Sequence, residues 1–297
     1  MDHAKLIASL SAEERRQLTQ KSDARGLCHV AAHLGLIIAL GAWIGLGLPF
    51  WWAVLVPYGI AIVFLFTLEH EATHLTPFAS PWLNSAAGHI AGIVLLLPFR
   101  WFHYFHMAHH RHTNDPDRDP ELAGPRPDTW PGFLIHVSGL PYWRAMVAVI
   151  WENAFGTPDA GYLSQRRLPE IRREARVYLS VYALLAATLL VSPLILWLWV
   201  IPALLGQPFL RLYLLAEHGR CPPVANMLEN SRTTFTNRAV RFLAWNMPYH
   251  AEHHAYPAVA FHQLPAFHAH AKEHLKSTSD GYTAFVEDYV DAFPKGA

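Results

Sequence analysis

The sequence predicts an all-α integral membrane protein, with four transmembrane helices in two hairpins and a cytosolic helical cap. Three observations carry this prediction. Two long stretches hold no Asp, Glu, Lys or Arg, and each is broken once by a turn signal. All 23 Lys and Arg lie in residues 1–26, 100–176 and 211–297, so neither hairpin turn carries one, and the positive-inside rule puts both termini and the middle of the chain in the cytoplasm. Three tight histidine clusters then fall on that same side. At 52% hydrophobic and 15% charged residues, four buried helices of a soluble enzyme are the poorer reading, because uncharged runs flanked by Trp are what a bilayer selects.

Each element follows in order. Residues 1–26 form a charged cytosolic segment whose Ser11-Ala12-Glu13-Glu14 is a capping box, and nothing there reads as a secretory signal. Leu27–Leu68 is the first hairpin (27–68), turned at Gly47-Leu48-Pro49 beside Trp51 and Trp52. Residues 69–176 are cytosolic or interfacial. Within them Ala86–Phe99 carries His89 and falls short of the roughly 20 apolar residues a span needs, so it is predicted as interfacial or re-entrant. Phe133–Trp151, with His136 and Arg144, is predicted to lie flat on the membrane, and Asn114–Pro131 is a Pro/Asp/Arg-rich loop. The second hairpin (177–216) divides at Val191-Ser192-Pro193, into Ala175–Val191 and Pro193–Ala216, with Trp197 and Trp199 near the turn. The tail (217–297) ends in one or two amphipathic helices. The whole reads as one domain, and Cys28 and Cys221, both at the cytosolic face, are expected to stay unpaired.

The histidines carry the chemistry. His70-Glu71-Ala72-Thr73-His74, His106-Met107-Ala108-His109-His110 and His250-Ala251-Glu252-His253-His254 each place imidazoles at i, i+3 or i+4, on one stripe of a helix. With His218 they supply enough nitrogens for two metals at about four or five each, since imidazole is the commonest metal ligand. Spacing alone leaves Zn, Cu, Fe and Ni open. The first cluster also satisfies H-E-x-x-H, the zinc-metalloprotease pattern, but a single zinc uses three protein ligands and leaves the other two clusters idle. A metal transporter would want charges inside its spans, and Leu27–Leu68 and Val177–Leu210 offer none. A ligating imidazole usually gives its other N–H to a carboxylate or carbonyl, so Glu71, Asp115, Asp119, Glu217 and Glu252 are candidate partners, with His103 one turn before His106. His112, His262, His268, His270 and His274 are expected to be solvated. His29, His33, His89 and His136 are expected as hydrogen-bonded helix residues.

The order HxxxH, HxxHH, HxxHH on a four-span frame resembles the membrane fatty-acid desaturase family, within the integral membrane diiron desaturase and hydroxylase superfamily. Phe99-Arg100-Trp101 and the run from His106 to Pro120 resemble its second box. Asn246-Met247-Pro248-Tyr249-His250 through Pro257 resembles its third, and Ala216-Glu217-His218 its isolated histidine. The resemblance implies two iron ions held by His70, His74, His106, His109, His110, His218, His250, His253 and His254, with Asn246 positioned to hold a metal-bound water. It implies dioxygen as co-substrate and a lipid acyl chain that is desaturated or, in the hydroxylase alternative, an acyl chain, carotenoid or smaller apolar molecule that gains a hydroxyl. An external electron carrier, ferredoxin-like or similar, is implied because the chain has neither a dinucleotide-binding G-x-G-x-x-G unit nor a cysteine set for an iron–sulfur cluster. Arg166, Arg167, Arg172, Arg173 and Arg176 are available to dock it or to meet anionic lipid. A bacterial inner membrane is the expected location. One departure is Leu214, where relatives can place a polar residue four before the isolated histidine.

Overall fold

Asp2 and the Ser11–Glu14 capping box start two short helices, α1 (His3–Ser9) and α2 (Ala12–Leu18), the second as predicted. The computed structural model describes residues 1–124 and 126–294; Pro125 of the predicted Asn114–Pro131 loop and the last three residues of the tail lie outside the described residues. α3 (Asp23–Gly45) runs to the turn at Gly47, which adopts φ +62° as only glycine does without cost. The chain returns as α4 (Trp51–Val63) and, after a break at Phe64, α5 (Leu65–Thr73). α6 (Pro81–Leu95) and α7 (Phe99–His112) meet at 98°, around Leu96 in a left-handed conformation and Pro98. α8 (Trp130–Val137) and α9 (Leu140–Phe155) meet at 56°. α10 (Leu168–Ala187) ends in a tight turn, and a π-helical turn at Leu196–Val200 leads into α11 (Ile201–His218). The tail adds α12 (Met227–Asn230), α13 (Arg238–Leu243), α14 (His250–Ala255), α15 (Leu264–Ala271) and α16 (Tyr282–Asp291).

Among the described residues, three helical stretches are long and apolar enough to cross a membrane: Ala12–Gly45, Trp51–Thr73 and Leu196–His218. The two bent pairs reach that standard only when each is taken as one broken span. α10, the expected third span, is not among the three, because Glu170, Arg172, Arg173, Glu174 and Arg176 occupy its first half. Its far end is nonetheless strongly apolar and exposed, with Leu184, Leu190 and Val191 open, as are Ile38, Leu46, Phe50 and Ile90 elsewhere. So many exposed large apolar side chains mark a surface that is covered by lipid or by another protein.

The packing that aligns the spans centres on α4 and α11. Gly59 and Gly206 face each other so closely that a Cβ on Gly59 would stand 2.0 Å from the Pro202 carbonyl oxygen, and one on Gly206 2.3 Å from the Gly59 backbone. Small residues at a crossing let two helices approach to backbone contact. At the far end of the same pair, Trp51 meets Trp197 edge-on at 5.3 Å, so the two predicted hairpin turns lie side by side. The fold departs from all-α at one small point. Thr233–Thr234 (β1) pairs in parallel with Thr278–Ser279 (β2), and Thr233 also bridges Tyr249, which ties the tail to the segment that enters α14.

Candidate metal centre

Four helices deliver the imidazoles to one place. α5 brings His70, with His74 at its C-terminal cap; α7 brings His106, His109 and His110 from a single stripe; His218 closes α11; and α14 brings His250, His253 and His254. They sort into two groups. In the first, nitrogens of His70, His74, His106, His110 and His253 all lie within 4.8 Å of one another; in the second, His109, His218 and His254 do the same. His250 joins the second through its Nε2, 2.9 Å from His218 Nε2. The other contacts are equally short: His106 to His74 at 2.9 Å, His110 to His106 at 3.0 Å, His253 to His110 at 3.1 Å and His109 to His218 at 3.1 Å, all between Nε2 atoms. Nitrogens sharing one metal at bonds of about 2.0–2.1 Å stand about 3.0–3.4 Å apart.

The residues fit a metal on a second count. His70 is buried with both ring nitrogens unpartnered, and His254 Nε2 is likewise buried without a partner. An orphaned nitrogen in the interior carries an uncompensated cost that a metal would remove. In α14, burial first and the surrounding imidazoles second hold His250, His253 and His254 well below the ordinary histidine range. They are therefore neutral, with a lone pair to offer.

Outer partners fix the tautomers. His109 Nδ1 donates to Asp119 Oδ1 at 2.9 Å, and Asp119 is itself held by the backbone N–H groups of Asn114 and Glu121. His250 Nδ1 lies 3.3 Å from Glu217 Oε1. Glu71 Oε1 stands 3.6 Å from Nδ1 of both His70 and His253, while its Oε2 accepts from the Thr76 hydroxyl. His218 Nδ1 donates to the Asn230 carbonyl at 3.3 Å, and His254 Nδ1 to the Thr113 hydroxyl at 3.2 Å. Sequence reasoning missed Thr113, Thr76 and Asn230. Thr113 and Asn114 stand three and four residues after the second cluster and were the only local signal.

Other expected partners stand elsewhere. Asp115 pairs with exposed Arg118 and touches no imidazole of either group. Glu252 is buried against Thr233 and His268 rather than against a clustered histidine. His268 is therefore not solvated as expected: it stacks near Tyr249 and is tied to a buried carboxylate. His103 donates to the Thr73 carbonyl at the end of α5 and joins neither group. The Asn246 amide donates to the Phe261 carbonyl. His29 and His33 bond backbone carbonyls of Phe242 and Ala61, as expected of helix residues. Of the arginines offered for docking, Arg172 and Arg176 cap the end of α9 at the Gly156 and Ala154 carbonyls, and Arg167 pairs with Glu170.

Both groups open onto one cavity of about 490 Å³. His70, His106, His109, His218 and His250 form its polar wall, while Phe66, Leu97, Trp101, Phe102, Met146 and Leu214 line the rest. Glu71, the base of a single-zinc protease, is fully buried and points at two imidazoles, with five clustered rings where that chemistry uses three ligands.

A helical membrane protein with a polyhistidine centre facing an apolar cavity is the class that fold and site define. Comparison of sequences gives the family: a model of the fatty acid desaturase family matches residues 48–285, and the chain belongs to that family. Among curated relatives, an sn-1 oleoyl-lipid 12-desaturase of Picosynechococcus sp. is 30% identical over 136 residues, 44% of this chain and 36% of that protein. One of the same description from Anabaena variabilis is 27% identical over 128 residues, 42% and 35%. An sn-1 acyl-lipid omega-3 desaturase (ferredoxin) of Nostoc sp. is 27% identical over 88 residues, 29% and 24%. The chain thus matches about a third or less of the length of these relatives.

Proposed function

We propose that the protein is a dioxygen-dependent diiron oxidoreductase that desaturates a lipid acyl chain. The observation that carries the proposal is the convergence of nine buried or half-buried imidazoles, in two groups, on the polar wall of an apolar cavity. Two irons would supply the oxidation of an unactivated C–H bond that no side chain can perform. The first would be held by His70, His74, His106, His110 and His253, and the second by His109, His218, His250 and His254. The protein's part is position and exclusion of water. The aromatic and aliphatic lining keeps the chain straight and dry beside the imidazoles, while Asp119, Glu217, Asn230 and Thr113 hold ring orientations.

In this reading the chain crosses four times, with both termini and the centre cytoplasmic, α10 as the third span and the bent α6–α7 pair on the cytosolic side; the three span-length apolar helices and the exposed apolar end of α10 support it. Electrons would come from a ferredoxin-like carrier, the class named for the Nostoc relative. Mass spectrometry of lipids from cells with and without the protein tests the reading: acyl chains that lose two hydrogens support desaturation. Chains that gain one oxygen would instead mark a hydroxylase, and unchanged lipids with an iron-loaded protein would overturn both.

A further inference from the structure

The cavity beside the histidines holds one cation that has no direct hydrogen-bond or ion-pair partner among the described residues. Arg211 lies on α11 two turns before His218, about 10 Å along the helix axis, and its side chain lines the cavity. Its Nε is buried without a partner, and among the described residues the guanidinium makes no hydrogen bond or ion pair. It lies over the Tyr142 ring at 4.4 Å, but a ring face replaces neither an acceptor nor a counter-charge. Glu217 and Glu121 share this wall and act on the guanidinium through space, but neither forms an ion pair with it. Glu217 faces His250, Glu121 stands 3.6 Å from His109 Nδ1, and Arg126 donates to Asn114 Oδ1.

A guanidinium stays charged in any protein environment and presents a planar fork that matches a carboxylate or phosphate. Half-buried and without an ion pair, with its Nε wholly enclosed, it is costly to maintain unless a ligand completes it. We propose that Arg211 receives an oxyanion on the substrate, so that the molecule entering the cavity is an apolar chain ending in a carboxylate or phosphate. The anchor then lies about two helical turns from His218, and it sets which carbon of the chain rests against the imidazoles. The inference rests on the cavity being the substrate site; it does not depend on which oxidation follows.

Native mass spectrometry of the purified, iron-loaded protein in detergent tests it, with stearate, stearyl phosphate and stearyl alcohol as probes. The wild type is expected to bind one or both anionic probes about ten- to hundredfold more tightly than the alcohol, the range for a hydrogen bond to a charged group. Which anion binds better identifies the source of the oxyanion. Arg211→Gln should erase the preference, Arg211→Lys should keep part of it, and Arg118→Gln, on the exposed surface outside the cavity, should leave it intact. Equal binding of all three probes to the wild type, or a preference that survives in Arg211→Gln, overturns the proposal. Should Arg211→Gln not fold, the wild-type ratio together with Arg211→Lys and Arg118→Gln decides. The readout needs no turnover, so an inactive but iron-loaded protein would count against the desaturase reading and leave this one standing.

Discussion

Asp119 does at the scale of one residue what the centre needs everywhere: it fixes a ring by its outer nitrogen and is itself fixed by two backbone N–H groups. Asp119→Asn removes the charge and should weaken metal retention by about 10- to 100-fold. Competition with a chelator on purified protein measures this, and retention equal to wild type would remove Asp119 from its role. His109→Ala and His253→Ala should abolish activity while the protein still inserts, since the apolar helices do not depend on those rings; loss of insertion in either variant would show the centre to be a folding requirement. The clustered imidazoles were legible because i, i+3 and i+4 spacing is a local property of a helix. Their outer partners were not, because Thr113 and His254, or Asn230 and His218, meet only through the tertiary fold. His268 is the counterpart error. Its partner Glu252 lies 16 residues away in sequence, so no periodicity announced it. His268→Ala strands a buried carboxylate and should lower activity several-fold, against none for His270→Ala on the exposed side of α15; activity unchanged in both would mean that Glu252 finds water instead.

Among elements, the crossing of α4 and α11 bears most directly on the centre, because α4 leads into α5 with His70 and α11 ends in His218. Gly206→Leu would drive a side chain into the Gly59 backbone. Overpacking of flexible side chains typically costs about 1–3 kcal/mol, and backbone at this crossing gives less, so a larger loss is expected. The thermal midpoint in detergent should fall by well over that of Gly35→Leu, whose Cβ meets nothing within 4 Å. Equal midpoints would show that the helices separate without cost. The two breaks in the apolar runs were readable from Gly and Pro, and α3, α4 and α11 follow them. α10 does not meet the standard of a span by length and composition, since charges in its first half outweigh its apolar end. The bend between α6 and α7 had a sequence signal in Pro98, but its angle follows from packing against α5 and α10, which composition does not encode.

For the whole molecule, convergence of three clusters requires one face. A cysteine introduced at Ser85 and another at Asp128 should therefore both be labelled only from the cytoplasmic side; labelling of Asp128→Cys from outside would separate His106, His109 and His110 from His70 and His74. Purified protein should carry about two irons per chain, and stripping them should lower the thermal midpoint, because an ion bound only by the folded state stabilises it by mass action. One zinc without iron in an active preparation would sink the diiron assignment. The clusters were legible from histidine spacing alone, and the topology read independently from charge placement is what the labelling decides.

The first group of imidazoles joins His70 to His253, and the second joins His109 to His254, so neither is complete until the last quarter of the chain has been made. A ribosome that has released only the spans and the first two clusters leaves a chain with partial coordination sets and no closed site. Metals held by the full sets would therefore be taken up only when α14 has reached its seat. On the proposed diiron reading, oxidising chemistry would then wait for the nearly finished polypeptide, a timing set by the order of residues rather than by any separate control.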